Sequence, residues 1–393
     1  MELLYRLYGF LHCLAKVMLR RKPLSSLKLA FPRRYHTAGT EDYIALWRGF
    51  VESSRIGESG TLYAGYVAEE ERWCLPSWIW TNAAAVRMYS AVGEIEKAIA
   101  LADTLASCQQ ACGGWIVRND YDKQGAIPVL APNDSAYIAN NAFLTLYRIT
   151  GDRKYLDIAE RCAAWIMETA RPDALVHTGY NTRDGVWEQD WVIVDTGFTA
   201  GLFSNLVELT GEKEYRAFLS RFVKRYVELF FMPERAGFCT SIDKKNHHFG
   251  GMFARGQAWA LEGLIPAYRV LGEDWIREVI DSTIGNLMKQ QRKGGGWPYN
   301  LSRKMMGEDC KGTSIIARNM MDWYKVSGNE AIVRSARKAF AWCKRHTVTS
   351  GEAKGGIFSY SVEGAIVQSS YTSCAFVYAS AYALELEKLL TDA

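Results

Sequence analysis

Five glycines recur along the chain at spacings of 58, 60, 61 and 56 residues: Gly93, Gly151, Gly211, Gly272 and Gly328. Each closes an apolar helical stretch, as in LYRITG and LVELTG, and a second helical stretch begins at once. Glycine there supplies the left-handed residue that ends a helix, and the acids that follow four of them favour the next N-terminus. A unit of about sixty residues repeated in this way is a helical hairpin, and its regularity limits the fold more than any other feature of the sequence.

A second landmark, a glycine beside an aromatic residue, follows each second helix: Gly113 to Trp115, Gly179-Tyr180, Gly237-Phe238, Gly295 to Trp297, and Gly356 with Phe358. Gly65-Tyr66 precedes the first repeat. These segments alternate as short strands do and predict small hairpins. Helices expected from about Ser77, Asn133, Trp191, Ala254, Lys311 and Ser369 are small and apolar all round, so they are inner helices. The helices after the turn glycines, and the one from about Glu41, carry Lys, Arg and Glu on one face and form an outer layer. Six of each predict an all-α, (α/α)6 toroid over residues 41–393, with residues 1–40 set apart. A linear solenoid is the alternative, but six repeats close without capping units, and the last helix has the inner composition.

Hydrophobic residues make up 49% of the 393, enough for a large core, and charged residues 23%. A net charge of +4 without a basic, aromatic-interleaved tract gives no reason to expect nucleic acid as a partner. Thirteen Trp and 21 Tyr exceed what a helical core needs and suit a cleft for sugar rings. The nine cysteines are odd in number and scattered, which reads as reduced thiols in a cytoplasmic protein. Cys108 and Cys112 would share a helix face; with no nearby His they read as packing, not zinc ligands.

Met1 to Lys22 is apolar but interrupted by Arg6, His12 and Lys16, and it ends in Arg20, Arg21 and Lys22. It is a poor membrane span, and its charge order is the reverse of a signal peptide's. It reads either as an interfacial helix in peripheral contact with the inner face of a membrane or as a helix packed on the outside of the ring.

In a ring of this kind the long loops meet the N-termini of the inner helices, where free N–H groups and the helix dipole suit an anionic guest. The second inner helix opens with Asn133 and Asp134, the latter also readable as a simple N-cap. The third opens WEQDWVIVDTGF, with Trp191 at its start and Asp195 expected about one turn inside an apolar helix. A carboxylate buried there has a tunable charge, the property a general acid/base requires. The fourth opens HHFGGMFARGQAWAL, which brings Arg255, Gln257 and Trp259 together with His247 and His248 just upstream. Arg can hold a carboxylate bidentately and Trp can stack on a sugar ring. Adjacent histidines diverge in direction and no third ligand is evident, so no metal or other cofactor is expected. Lys311 and Ser314 open the fifth inner helix as further polar candidates, and Trp80 stands near the start of the first.

The RGQAWA segment, the VDTGF aspartate and the aspartate opening the second inner helix resemble the unsaturated glucuronyl hydrolases and unsaturated rhamnogalacturonyl hydrolases, members of the six-hairpin glycosidases. The resemblance spans roughly Trp78 to Leu390. It implies removal of a terminal 4,5-unsaturated uronic acid from an acidic oligosaccharide by hydration of its vinyl ether, without a metal. Carried over, Asp195 matches the general acid/base, Asp134 its partner, Arg255 and Trp259 substrate contacts, and His247 or His248 an upstream His. The chain departs from that pattern at Asn133, where the family often has His, and at Lys311, an extra cation in a contact region. A lyase or uronyl epimerase on the same toroid, and a non-catalytic glycan-binding scaffold, are the competing readings. The oligomeric state is not legible.

Overall fold

The computed structural model describes residues 11, 42–67, 72–74, 78–119, 127–302, 308–360 and 373–393. The N-terminal segment to residue 40 lies outside them apart from Leu11, as do residues 361–372, where the last inner helix was expected to begin. The chain separates into two compact units, one of residues 59–61 and 77–289, the other of residues up to 58, 62–76 and 290–393.

Along the chain run α1 (Tyr43–Ser53), β1 (Gly65–Val67), β2 (Arg72–Cys74), α2 (Trp80–Ala91), α3 (Ile95–Ser107), β3 (Ile116–Asn119), β4 (Ile127–Leu130), α4 (Pro132–Ile138), α5 (Thr145–Thr150) and α6 (Arg153–Thr169). There follow β5 (Tyr180–Asn181), β6 (Val186–Trp187), β7 (Trp191–Ile193), α7 (Phe198–Thr210), α8 (Lys213–Phe230), β8 (Phe231–Met232), β9 (Gly237–Phe238), β10 (Ser241–Asp243), β11 (His248–Phe249), α9 (Ala254–Leu271) and α10 (Asp274–Gln290). The chain ends with α11 (Cys310–Ser327), α12 (Glu330–Arg345), β12 (Phe358–Tyr360), β13 (Ser373–Phe376) and α13 (Val377–Thr391). A π-helical stretch, Ala139–Leu144, joins α4 to α5, so the described residues hold twelve helical rods.

In the larger unit the inner rods α2, α4–α5, α7 and α9 pack in that order, and α3, α6, α8 and α10 lie outside them. In the other unit α11 packs on α13, with α1 and α12 against them. The turn glycines behave as the sequence requires: φ runs from 64° to 82° at Gly93, Gly151, Gly211, Gly272 and Gly328. The inner rods use small residues to bring backbones together. A Cβ on Gly263 of α9 would stand 2.1 Å from the carbonyl oxygen of Gly197, which leads into α7.

The glycine–aromatic landmarks lock loops onto outer helices, and the same device appears in both units. Gln109 donates to the carbonyls of Gly113 and Ile158 at 2.9 and 3.0 Å; Gln291 donates to those of Gly295 and Ser335 at 2.8 and 2.9 Å. The N–H of Trp115 donates to Ser135 Oγ at 3.0 Å, and that of Trp297 to Thr313 Oγ1 at 3.2 Å, tying each loop to the first turn of the next inner helix.

Two expected starts are corrected. Trp191–Ile193 is not helical: its aromatic and β-branched residues make β7, which pairs antiparallel with β10. The last inner helix begins at Val377, after strand β13, and not at Ser369. Cys108 ends α3 and Cys112 lies in the turn beyond it, so the two share no helix face. The seven cysteines among the described residues whose side chains are placed are all free thiols.

Candidate active site

Four inner-rod N-termini of the larger unit carry the candidate residues. Asn133 and Asp134 occupy the first turn of α4 after Pro132, whose missing N–H costs nothing at that position. Asp195 lies on a 3₁₀ turn, Val194–Gly197, that runs straight into α7. It is therefore at the very N-terminus of the rod and not a turn inside it; the strand β7 accounts for the residues before it. Arg255 and Trp259 sit in the first turns of α9.

The two aspartates are half-buried. Burial pushes the Asp134 carboxyl well above the usual carboxylate range, and the charge of Asp195 raises it further. Burial also raises Asp195, to about 7. Opposing this are a hydrogen bond from Asn133, the charge of Arg255, and the N–H groups of Asp195 and Thr196. Desolvation wins over the helix terminus. Two carboxyls within electrostatic reach hold a proton between them into the neutral range. Asp195 Oδ1 and Asn133 Oδ1 are buried acceptors with no hydrogen-bond partner in the protein. Such oxygens call for an external donor, a water or a sugar hydroxyl.

The RGQ segment has three distinct local reasons. The Arg255 guanidinium lies over the rings of Phe253 and Trp259, 4.9 and 5.5 Å from their centroids, and acts on Asp195. Gly256 clears the side chain of Val194, which a Cβ would meet at 2.9 Å. Gln257, 1% exposed, receives the Phe238 N–H at 2.7 Å and donates to the Phe238 carbonyl at 2.8 Å. Both ends of its amide thus hold β9, which corrects its assignment as a substrate contact.

Aromatic rings line these helix starts. Trp80 packs edge-on to Tyr137 at 5.7 Å and stacks with Trp78 at 5.8 Å. Tyr137 meets Phe198 at 4.7 Å, and Phe198 meets Trp259 at 6.0 Å. Trp191 is half-buried on β7, its carbonyl accepting from Thr178. His247 and His248 are exposed on the β10–β11 hairpin; His247 pairs with Asp243 at 3.1 Å and His248 bonds the Leu229 carbonyl at 2.8 Å. Neither acts on the two carboxyls. Lys311 and Ser314 open α11 in the other unit. The Lys311 ammonium lies 4.4 Å from the Phe376 ring centroid, and the Ser314 hydroxyl donates to Cys310 of its own helix. Among the described residues no cluster of three or more His, Cys, Asp or Glu could hold a metal ion.

The sequence did not reveal the polar network beneath this site. Arg87 Nη1 contacts Glu262 at 2.9 Å and Asn141 at 2.5 Å, all three largely buried within the inner rods. The π-helical stretch carries Asn140 and Asn141 side by side, and Asn140 accepts from Asn205 of α7 at 2.5 Å.

A sequence model of Glycosyl Hydrolase Family 88 matches residues 67–385. The chain belongs to this family. It is a glycoside hydrolase. No curated protein sequence matches it. Among solved structures it is similar to an unsaturated glucuronyl hydrolase specific for heparin, at 14% identity and a TM-score of 0.71, covering 89% of this chain and 95% of that one. It is similar also to the unsaturated glucuronyl hydrolase of Bacillus sp. GL1, at 15% identity and a TM-score of 0.65, over 88% and 95% of the two chains. A cellobiose 2-epimerase from Bacillus thermoamylovorans matches at 12% identity and a TM-score of 0.66, over 88% and 99%. At these identities the likenesses show the fold, the all-α (α/α)6 toroid that the sixty-residue repeat predicts.

Proposed function

We propose that this family 88 hydrolase removes a uronic acid, in its 4,5-unsaturated form, from the end of an acidic oligosaccharide, with Asp195 as general acid/base and Asp134 as its partner. One observation carries the reading. Two carboxyls at adjacent helix N-termini are both raised by burial, Asp134 further by the charge of Asp195, beside a guanidinium and an indole.

In this scheme Asp195, with its affinity for protons brought to about 7, gives a proton to C4 of the vinyl ether. The positive charge develops at C5 and the ring oxygen. Water adds at C5 and returns a proton to Asp195, and the resulting hemiketal opens with release of the sugar that was attached. One water is consumed and the carboxyl is regenerated. Arg255 faces the substrate carboxylate, and the partly exposed Trp259 and Trp80 offer apolar faces to the ring, backed by the buried rings of Phe198 and Tyr137. Asn133 and Asp195 each present an unoccupied acceptor oxygen for a hydroxyl or the attacking water. We place the enzyme in the cytoplasm and read residues 1–40 as a separate segment in peripheral contact with a membrane. Among the described residues no helix is long and apolar enough to cross one.

The test is absorbance near 235 nm, the conjugated-uronate band, during incubation with an unsaturated disaccharide from an acidic polysaccharide. A fall in wild type that is lost in Asp195→Asn is expected. A rise on an intact polysaccharide would mark a lyase, and unchanged turnover in Asp195→Asn would sink the reading.

A further inference from the structure

Asp195 has no side-chain neighbour on its own 3₁₀ turn to aim it; the backbone before it is held instead. The Val194 carbonyl accepts from Tyr226 Oη at 2.7 Å, and the Val194 N–H donates to the Thr240 carbonyl at 2.9 Å. Val194 is therefore held at both its N–H and its carbonyl, in the two peptide units that flank its Cα, one residue before the carboxyl. Tyr226 comes from outer helix α8, 1% exposed, its ring stacked between Phe222 and Phe238 at 5.8 and 5.7 Å. Gly197 makes room for it: a Cβ there would lie 2.8 Å from Tyr226 Oη.

Thr240 makes a second connection. Its hydroxyl receives the N–H of Phe253 at 3.1 Å and donates to the Gly251 carbonyl at 2.9 Å. Phe253 is the N-cap of α9, two residues before Arg255, and its ring lies under the guanidinium. One buried residue, 3% exposed, is thus bonded to the residue before Asp195 through its carbonyl and to the cap of the Arg255 helix through its hydroxyl.

We propose that Tyr226, acting through Val194, and Thr240, acting through its backbone bond to Val194 and its hydroxyl's bond to the Phe253 cap, are positioning residues that hold the Asp195 carboxyl in register with Arg255. The proposal rests on Asp195 being the acid/base. The charged and titratable groups facing Asp195 are Asp134 and Arg255, with the neutral amide of Asn133; Tyr226 in turn faces Asp195 and Cys239. With the grip loosened, the groups that hold Asp195 down (Asn133, Arg255 and its own turn's N–H groups) act less, and its titration moves up from about 7.

Tyr226→Phe keeps the ring and removes the bond to Val194; Thr240→Val keeps the volume and removes the bond to Phe253. Each is expected to lower kcat by about 10- to 100-fold, as small misplacements of a reacting group do, while KM stays within about two-fold. The basic limb of the pH–rate profile moves upward with it. Thr240→Ser retains the hydroxyl and restores kcat. Carboxyl ¹³C NMR of Asp195, assigned against Asp195→Asn, reads the titration without turnover. An Asp195 titration unmoved in both variants, or lower kcat with no change in pH profile, overturns the proposal. Full activity of Asp195→Asn would instead remove the functional reading while the NMR still decides the grip. Thr240→Val carries the test alone if Tyr226→Phe does not fold.

Discussion

The side-chain amide of Asn133 lowers the proton affinity of the Asp195 carboxyl on the neighbouring inner rod, and it belongs to the residue immediately before Asp134. The helix start that bears one carboxyl therefore also steadies the other. An amide at this place donates to the carboxylate without titrating, so Asp195 is the group of this pair that changes charge near neutrality.

Asp195→Asn is expected to abolish turnover by about 10²- to 10⁴-fold, the range for a lost acid/base. It is also expected to make the protein more stable at pH 8. The carboxyl rises from 3.8 unfolded to about 7 folded, so the native state binds more protons between those values and stability falls as pH rises through that window. Above it the ionised carboxyl costs on the order of 4 kcal/mol, a cost the neutral amide does not bear. Thermal melts of both proteins at pH 4 and pH 8 check this. Equal melting differences at the two pH values would contradict it.

Arg255→Gln removes the cation that lowers Asp195. The basic limb of the pH–rate profile should move to higher pH, since the acid form then persists further. KM for a uronide should rise by about ten-fold or more, the loss of a charged hydrogen bond, while a neutral glycoside would be little affected. Arg255→Lys should keep the pH limb and lose part of the affinity, because an ammonium cannot grip a carboxylate with a fork.

Arg87→Met leaves Glu262, 8% exposed, without its guanidinium. A destabilisation of about 3–5 kcal/mol is expected in urea titrations, because a buried charge is left uncompensated. Replacing both residues by Met should recover most of it.

Gly263→Ala places a methyl 2.1 Å from the Gly197 carbonyl oxygen, a contact that only backbone movement relieves. A loss of about 1–3 kcal/mol is expected from overpacking, with kcat falling as well because Gly197 ends the turn that bears Asp195. Gly93→Ala, with the same residue change but open space around it, should lose stability through its φ of 82° and keep kcat.

The repeat was legible because it rests on backbone chemistry: a helix that must stop needs a left-handed residue, and five glycines advertise the stops. Asp134, Asp195, Arg255 and Trp259 were legible as polar or bulky residues breaking small, apolar helix starts. Gln257 was misread for the same reason, since a buried amide serving a strand looks in sequence like one serving a ligand. That His247 and His248 stand on an exposed hairpin was not legible, because the β10–β11 pairing that places them joins residues with no strong strand pattern. Tyr226 gave no signal at all. It lies four residues after Phe222 and four before Phe230 on α8, the spacing of an ordinary core face, and only its hydroxyl departs from that role. Glu262 did leave a trace, as a carboxylate amid the small and apolar residues in the middle of α9.

The bond from Trp115 to Ser135 joins the two ends of the β3–β4 segment one residue from Asp134. Its anchor points are fixed by Gln109 and by the first turn of α4, neither of which depends on what lies between. A different hairpin spliced between these posts, provided it kept the β4 residues that pair with β5, would leave the first turn of α4, and Asp134 with it, held by the same bond.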